Sequence, residues 1–466
     1  MVVSENRRAI IWSGLEKVGT YVVNFGIQIV LARLLCPDDY AVVAMLAIFF
    51  AISQALIDSG FATTLIQKQD CTQTDYCSVF FFNLLVGAFI YLCFFFGAPY
   101  LERFYNFPNL ALVTRVYSLN LCINSLAMVH RVKMTKELRF KEIAIITFVS
   151  SITSAIPAII MAYYGFGYWA LITQTLLGSL ISVVMFFIYS KWMPSLIMSW
   201  KSLKELAPFG LRMLFVYLFH AVYNNIYSLL IGKRFPATEL GYYDRGKTLA
   251  SMGPVGFSDF YTRALYPIQS KIQNDDEALR TSYNRSFSLI CYVILPISVF
   301  MSFFSHETIF TLFGDKWEKA AWILAILCIG YLFYPLQALN MNMIKVRGRA
   351  DYLLKSEIIK KSIGIITVLV MINFSLKDVV IGWICCAITE FIISEFFFWK
   401  LYKFKLVESA KVLFSTAALL FVIAFAVSFG IKQFTDNSYL IFFVGGGLYV
   451  GFYGLLYYRR IKSLIK

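Results

Sequence analysis

Charged residues are scarce in this sequence. Asp, Glu, Lys and Arg make up 15% of the 466 residues, and histidine occurs three times, whereas 59% of the residues are hydrophobic. A soluble domain could not bury that much apolar surface. The composition therefore excludes an ordinary soluble protein and favours one embedded in a membrane.

Signatures of catalysis and of metal binding are also missing. The nine cysteines lie mostly inside apolar runs, and none has the Cys-x-x-Cys or Cys/His spacing of a metal site. There is no P-loop, so we expect no ATP hydrolysis by this chain. Basic residues sit between apolar runs, which indicates a membrane face rather than nucleic acid. We therefore expect no enzyme activity, no cofactor and no nucleic-acid partner.

Apolar segments long enough to cross a membrane recur along the whole chain. A membrane helix needs about 20 mostly apolar residues, and thirteen segments meet that condition. They are 9–34, 41–66, 77–101, 109–130, 142–163, 166–190, 207–232, 285–305, 317–344, 356–374, 379–399, 408–431 and 438–458. Residues 241–268 are also long enough, but they contain Pro254 and five charged residues.

The distribution of basic residues decides whether residues 241–268 cross the membrane. If they do, the N-terminus, the basic loops at 131–141 and 345–361 and the tail at 459–466 share one side. If they do not, every later segment inverts, and the loop at 400–411 moves outside with the tail. Cytoplasmic loops carry the excess of Lys and Arg. We therefore predict an eighth span at 241–268 and cytoplasmic termini.

Spans one and seven share a pattern of glycine, polar residues and proline. At a nearly constant offset, the matched pairs are Gly14 and Gly210, Asn24 and His220, Gln28 and Asn224, and Pro37 and Pro236. Repeats related by an axis along the membrane normal are one plan of transporters. The pattern predicts two pseudo-symmetric lobes of six helices each.

We therefore predict an all-α integral membrane protein with about 14 transmembrane helices and a central cavity. The N-lobe covers 1–190 and the C-lobe covers 207–399. Residues 191–206 between them read as an amphipathic linker helix on the cytoplasmic surface. Residues 400–466 add two helices and a basic cytoplasmic tail.

Charges inside residues 241–268 are the first candidates for a functional site. A charge facing lipid costs about 2.5–3.5 kcal/mol, so this helix should have a wet or protein-lined face. Arg245, Asp259 and Arg263 fall within a stripe about 40° wide, whereas Lys247 lies off it. A cationic stripe suits an anionic cargo. Two alternatives stay open: the basic side chains reach the interface, or Asp259 and Arg263 simply pair.

Span one carries a second polar stripe, formed by Lys17, Asn24 and Gln28. Asp58, in span two, is predicted to lie at the same depth as Lys17. We expect Lys17 either to pair with Asp58 or to contact the cargo.

Span seven faces span one across the predicted cavity. Arg212 lies at a depth similar to that of Glu16, and we hypothesise that these two residues form an inner gate that closes in the outward-open state. Asn224 shares a face with His220 and is a candidate cavity residue.

Acidic residues inside the spans are candidates for energy coupling, because an intramembrane carboxylate can bind a proton or a cation. Glu390, in the middle of the twelfth span, is the first of these, and Asp58 and Asp259 are the others. A satisfied, hydrogen-bonded acid is the alternative interpretation of Glu390.

Two stretches resemble a known family. LARLLCPDDYAVVAM, followed by LIDSGFATTLIQKQD, resembles the start of polysaccharide flippases of the WzxC-like polysaccharide transporter family. That family belongs to the multidrug/oligosaccharidyl-lipid/polysaccharide exporter superfamily. LGYYDRGKTLASMGP, followed by LYPIQSKIQ, resembles the family's eighth-span signature. Ala41 departs from the glycine that is common in the family.

The resemblance implies a two-lobed flippase with alternating access. Such relatives carry undecaprenyl-pyrophosphate-linked oligosaccharides across the bacterial inner membrane for capsule, exopolysaccharide or O-antigen assembly. The resemblance also implies a cationic cavity, with Arg245 in the matched G-Y-Y-x-R, and a groove for the polyprenyl chain at spans thirteen and fourteen. The partners it implies are the lipid-linked oligosaccharide, membrane lipids and the polysaccharide polymerase or other assembly machinery.

Two other functions stay open on the sequence. A drug/cation antiporter of the same superfamily would favour acidic cavity residues, whereas basic ones predominate here. A membrane-embedded glycan polymerase or ligase would be expected to present a larger external domain, whereas the predicted external loops are short.

Overall fold

The structure, a computed structural model, describes residues 19–68, 70–403 and 407–465. Among these residues there are α-helices, one 3-10 turn at Asp315–Trp317 and no β-strand. The helices are α1 (Gly19–Leu34), α2 (Pro37–Asp58), α3 (Phe61–Gln67), α4 (Gln73–Tyr105), α5 (Leu110–Tyr117), α6 (Leu119–Lys136), α7 (Phe140–Tyr163), α8 (Trp169–Ser190), α9 (Trp200–Arg234), α10 (Ala237–Lys271), α11 (Asp276–Phe303), α12 (Ser305–Phe313), α13 (Ala320–Tyr331), α14 (Tyr334–Val346), α15 (Ala350–Met371), α16 (Leu376–Tyr402), α17 (Val407–Lys432) and α18 (Ser438–Ile465).

Eleven segments of the described chain are long and apolar enough to cross a membrane. They are α2–α3, α4, α5–α6, α7, α8, α9, α11, α13–α14, α16, α17 and α18. Three more helices match predicted spans: α1, whose described part is shorter, and α10 and α15, which carry more charges. The all-α membrane fold with about 14 membrane helices is therefore confirmed.

The charged stretch at 241–268 lies within one helix, α10. This helix has 35 residues and continues through Pro254 and Pro267. At 1.5 Å per residue it is about 52 Å long, which exceeds the roughly 30 Å of a bilayer's hydrocarbon core. The stretch is therefore helical and long enough to span. That α10 crosses the membrane stays a prediction.

The linker between the predicted lobes differs from the sequence expectation. Residues 191–199 form no helix, and α9 begins only at Trp200, so a helix over all of 191–206 is wrong. Pro194 lies in this segment, and proline interrupts a helix because it removes an N–H donor. The segment is instead bound to α4: Trp192 Nε1 donates to Gln73 Oε1 at 2.6 Å, and the Ser199 backbone N–H donates to the hydroxyl of Ser78 at 2.9 Å.

The basic loop predicted over 345–361 is also much shorter than expected. α14 ends at Val346 and α15 begins at Ala350. Good helix formers and oppositely charged pairs at i,i+3 and i,i+4 explain this early start, because both stabilise a helix. Lys360 and Lys361, which belong both to the predicted basic loop at 345–361 and to the predicted span at 356–374, therefore lie inside a helix.

The described residues fall into two compact units, divided between Gly241 and Tyr242. In the first unit, α9 packs along α2, α7 along α8, and α4 along α6. α9 approaches the break between α2 and α3 very closely: a Cβ on Gly60, whose φ is +69°, would lie 2.0 Å from the Gly210 carbonyl oxygen. Glycine is therefore needed there. The lobes predicted at 1–190 and 207–399 stay a prediction.

In the second unit, α11 is the central helix and packs against α13, α14, α17 and α18. Its core is apolar and aromatic, and Tyr283 of α11 stacks on Phe398 of α16 with 4.2 Å between ring centroids. A polar group buried in such a core is costly unless it is hydrogen-bonded. The polar side chains that this unit encloses therefore need hydrogen-bond partners.

The connections α1–α2 and α9–α10 repeat one hydrogen-bond pattern. The backbone bonds are Leu35 N to Leu31 O (2.8 Å) and Asp39 N to Cys36 O (3.1 Å) in the first, and Phe235 N to Ile231 O (2.9 Å) and Glu239 N to Pro236 O (3.0 Å) in the second. Pro37 suits the first position of α2, since proline has no N–H to satisfy there, and Pro236 lies immediately before α10. This local likeness supports the internal repeat seen in the sequence.

Candidate functional site

The charges of α10 occupy two different surroundings. Near the start of the helix, Arg245 Nη2 donates to Asp244 Oδ2 at 2.7 Å, and the Arg245 side chain is only 12% exposed. Lys247 is partly buried and interacts electrostatically with Asp244. In this conformation Asp244 therefore neutralises part of the positive charge near the start of α10.

Farther along α10, Asp259 and Arg263 are both exposed. No ion pair within 4.0 Å joins them in the described part of the chain, so the alternative that they simply pair finds no support. Exposed charges on a membrane helix are costly unless they face water or protein. This end of α10 is therefore expected to meet water.

α15 supplies two enclosed lysines that sequence reasoning missed. Lys360 and Lys361 are 5% and 6% exposed. Both form ion pairs with Glu357: Lys360 binds Oε1, and Lys361 Nζ lies 3.5 Å from Oε2. Glu390 of α16 also interacts electrostatically with Lys361. We call Glu357, Lys360, Lys361 and Glu390 the α15 cluster.

The α15 cluster extends towards α10 through α14. Tyr334, at the start of α14, is within electrostatic range of both Asp259 and Glu357. Tyr334 is 39% exposed, so this polar region is not sealed. The spacing of Glu357, Lys360 and Lys361 is that of helical ion pairs, and it could have revealed the cluster within the predicted span at 356–374.

A second enclosed polar group lies among α11, α14 and α16. Glu395 Oε1 accepts from Asn340 Nδ2 at 3.0 Å and from the hydroxyl of Tyr283 at 3.3 Å, and Asn340 Nδ2 also lies 3.1 Å from Ser394 Oγ. Asn340 and Tyr283 are almost fully buried. From the sequence alone, Glu395 is no better a candidate for a functional carboxylate than Glu390, because both lie inside the same apolar span.

In the first unit, Asp58 has partners other than those expected. Its Oδ1 accepts from Gln54 Nε2 at 3.1 Å, and it interacts electrostatically with Arg131. Lys17 and Glu16 lie outside the described residues. The Lys17–Asp58 pair and the Glu16–Arg212 gate therefore stay predictions.

The predicted cavity residues of α1 and α9 are largely solvent-accessible within the first unit. Asn24, Arg212 and Asn224 are exposed, and Gln28 is partly buried. Nearby on α9, the hydroxyl of Tyr217 lies 2.8 Å from that of Thr63. Polar side chains that protrude from apolar helices fit a water-accessible face, and their role in binding stays a prediction.

An ion pair between Lys68 and Asp75 lies at the start of α4, which is the cytoplasmic end of this helix in the predicted topology. Lys68 Nζ lies 2.8 Å from Asp75 Oδ2, and this carboxylate raises the pKa of the Lys68 ammonium above its usual value. Asp75 also caps α4 through Thr72 and accepts from the hydroxyl of Ser202 of α9. This corner joins α4 to the start of α9, which follows the linker.

An apolar groove lies between α17 and α18. It has a volume of about 580 Å³ and an almost wholly apolar lining. The lining residues are Ala426, Val427, Gly430, Ile431, Phe434, Thr435, Leu440, Val444, Leu448 and Phe452. Such a groove can hold a hydrocarbon chain but not a charged group. Among the described residues, no three His, Cys, Asp or Glu side chains are placed to hold a metal ion.

Comparison with known proteins gives consistent matches. The model of a family described as "Polysaccharide biosynthesis protein" matches residues 30–322. Teichuronic acid biosynthesis protein TuaB of Bacillus subtilis (strain 168) is 24% identical over 64% of this chain, and the match spans 62% of its own length. Lipopolysaccharide biosynthesis protein WzxC of Escherichia coli (strain K12) is 22% identical over 75% of this chain and 71% of its own.

The fold itself matches a solved structure. "Lipid II flippase MurJ, inward closed conformation" superimposes with a TM-score of 0.76 over 98% of this chain and 100% of that one, at 14% sequence identity. A likeness at this identity concerns the fold alone.

Proposed function

Because this chain belongs to the polysaccharide biosynthesis protein family, we propose that it moves undecaprenyl-pyrophosphate-linked oligosaccharides across the bacterial inner membrane. Relatives are named for the biosynthesis of teichuronic acid and of lipopolysaccharide, and the protein that shares its fold is named a lipid II flippase. The match spans less than two thirds of the first of these relatives. The proposal therefore also rests on the charges of this chain.

The observation that carries the proposal is the presence of cations inside α10 and α15, two helices that we predict to cross the membrane. Arg245, Lys247 and Arg263 on α10 and Lys360 and Lys361 on α15 all lie within the second unit. A drug/cation antiporter would need acidic residues at its cargo site, whereas a pyrophosphate needs basic ones. The basic residues favour the anionic cargo.

A headgroup with a pyrophosphate and many hydroxyl groups cannot cross hydrocarbon, because burying these groups without partners is prohibitive. The protein need only offer a polar path to the headgroup, while the lipid tail stays in an apolar place. We assign the headgroup to the basic residues of α10 and to the α15 cluster. We assign the polyprenyl chain to the groove between α17 and α18, whose lining matches it chemically.

Alternating access of two six-helix lobes would move the headgroup from one side to the other. We place both chain termini in the cytoplasm, as the basic loops and tail favour. In this proposal Arg245 exchanges its bond with Asp244 for the pyrophosphate, and Arg212, Asn24, Gln28 and Asn224 line the path. The product would pass to the machinery that polymerises capsule, exopolysaccharide or O-antigen.

The test is to deplete the protein in its own host and to locate the lipid-linked repeat units. Spheroplasts are treated with a membrane-impermeant glycan-oxidising reagent, before and after permeabilisation. A flippase predicts units that accumulate and react only after permeabilisation. If the units are instead unpolymerised and react without permeabilisation, the protein acts after flipping, as a polymerase or ligase would, and the proposal is wrong.

A further inference from the structure

We propose that Glu395 carries a proton in this conformation and is the residue that couples transport to proton movement. The proton-coupling role rests on the proposed transport function, whereas the protonation itself does not. The candidate differs from Glu390, which belongs to the α15 cluster and interacts with Lys361.

No cation of the described residues lies beside Glu395. No lysine or arginine of the described residues forms an ion pair with it, and it interacts with Asn340 and Tyr283 only through hydrogen bonds. Buried carboxylates that stay ionised are normally paired or bind a metal. Glu395 has neither arrangement.

The two carboxyl oxygens of Glu395 have different surroundings. Oε1 accepts from Asn340 Nδ2 and lies 3.3 Å from the hydroxyl of Tyr283, whose single hydrogen has a nearer acceptor in Asn340 Oδ1 at 2.9 Å. Oε2 is enclosed and has no hydrogen-bond partner among the described residues. An ionised carboxylate would leave charge on an unsolvated oxygen, which costs more than an unsatisfied neutral hydroxyl. A proton on Oε2 removes that cost, and it leaves Oε1 as the acceptor from Asn340 Nδ2.

Among the described residues of α11, α14 and α16, no cation lies close to Glu395. On α11 the titratable neighbour is Tyr283, and on α14 the facing residue is Asn340, which does not titrate. On α16 itself the nearest charged residues are Glu390 and Lys400, each five positions away and therefore on another face.

The helices α13 and α15 also pack on α16. α13 contains no charged residue, and the lysines of α15 that lie inside the protein pair with Glu357. None of these groups is positioned to hold the Glu395 carboxylate in its charged form.

The position of Glu395 explains how its proton could be linked to a conformational change. Its hydrogen bonds join three helices, since Glu395 belongs to α16, Tyr283 to α11 and Asn340 to α14. Any separation of these helices would admit water to Oε2, and the carboxyl group would then release its proton to that water. Proton binding would thus favour the packed conformation over the opened one.

The protonation is tested on the purified protein by infrared spectroscopy near neutral pH. The wild type should show the C=O stretching band of a protonated carboxylic acid, and Glu395→Gln should lack it. Glu307→Gln is the matched control: Glu307 is also buried, but it is paired with Lys432 at 2.9 Å, so that variant should keep the band. A band that survives in Glu395→Gln overturns the proposal, as does loss of the wild-type band on adding sodium.

The coupling role is tested in proteoliposomes that contain the lipid-linked oligosaccharide. Wild-type transport should rise at least tenfold with an imposed pH gradient, and transport by Glu395→Gln should not respond to the gradient. Glu395→Asp, which keeps a titratable group, should restore part of the response. Equal gradient responses of Glu395→Gln and the wild type would refute coupling at Glu395. If the wild type transports nothing, the proposed function fails, while the infrared result still stands.

Discussion

Asp38 and Thr238 are joined directly, although they lie 200 residues apart: Thr238 Oγ1 donates to Asp38 Oδ1 at 2.7 Å. Each is the second residue of its helix, α2 or α10, and each follows one of the two connections that share a hydrogen-bond pattern. The two repeated helix starts therefore lie side by side within the first unit.

Gly241 of α10 lies against the first turn of α2, where an added Cβ would come within 2.0 Å of the Pro37 carbonyl oxygen. Gly241→Ala should therefore lower the free energy of unfolding by about 1–3 kcal/mol, as overpacking does. Thermal unfolding of the detergent-purified protein measures this. Gly256→Ala, on the same helix but with open space around it, should not be destabilised. Equal losses in both variants would contradict the close contact.

The membrane crossing of α10 can be tested with single cysteines in a background without the nine native ones. Arg234 and Asn274 are exposed and flank α10. Arg234→Cys should react with an impermeant maleimide on intact cells, whereas Asn274→Cys should react only after permeabilisation. Lys191→Cys, in the linker, should behave like Asn274→Cys. If both flanks of α10 react from outside, the assigned sidedness of every later helix is inverted.

Arg245 tests the assignment of the pyrophosphate to α10. Arg245→Ala should reduce transport at least about tenfold, because truncating a buried charged partner typically costs 2–5 kcal/mol. Transport is measured in proteoliposomes at matched protein amounts. Lys271→Ala removes an exposed cation at the end of the same helix and should leave transport unchanged. Wild-type transport by Arg245→Ala would remove this residue from the site.

Lys361 tests the α15 cluster. Lys361→Met keeps the length of the side chain but leaves Glu357 and Glu390 without one cation, so transport should again fall at least about tenfold. Lys361→Arg should retain most of the activity. Lys355→Ala, which alters an exposed lysine of α15, is the control. A similar loss in all three variants would indicate damage to α15 rather than loss of a specific charge.

The groove between α17 and α18 predicts a dependence on lipid-tail length. Ala426→Trp would fill the groove, so transport of a substrate with a full-length polyprenyl chain should fall, while a short-chain analogue should be affected much less. Phe425→Trp changes the neighbouring residue, which is exposed and does not line the groove, and should be neutral. If Ala426→Trp impairs both substrates equally, the groove does not hold the tail.

Much of the fold could be predicted from the sequence. Apolar length fixes the spans, because a hydrocarbon core accepts only segments of sufficient length with paired backbone groups. Charge placement indicated that residues 241–268 continue the series, and the structure makes them a single helix. The Pro37 and Pro236 connections were recognisable because proline and its neighbours act locally.

The enclosed polar groups could not be predicted in the same way. Lys360 and Lys361 fell both in the predicted basic loop and at the start of the predicted span, because hydropathy averages over a window and does not show that Glu357, on the same helix, pairs with both. Likewise, Glu390 and Glu395 are equivalent in the sequence. Only the packing of α11 and α14 on α16 places Tyr283 and Asn340 beside one of them.

The sequence by itself determined that the chain belongs in a membrane and roughly where its long apolar segments run, because these depend on properties summed along the chain. The tertiary structure decided which charges are neutralised, which are exposed and which carboxyl oxygen is enclosed without a hydrogen-bond partner. Those outcomes depend on distances of a few ångströms between residues far apart in the chain, and in a medium of low dielectric such distances determine the energy of a charge.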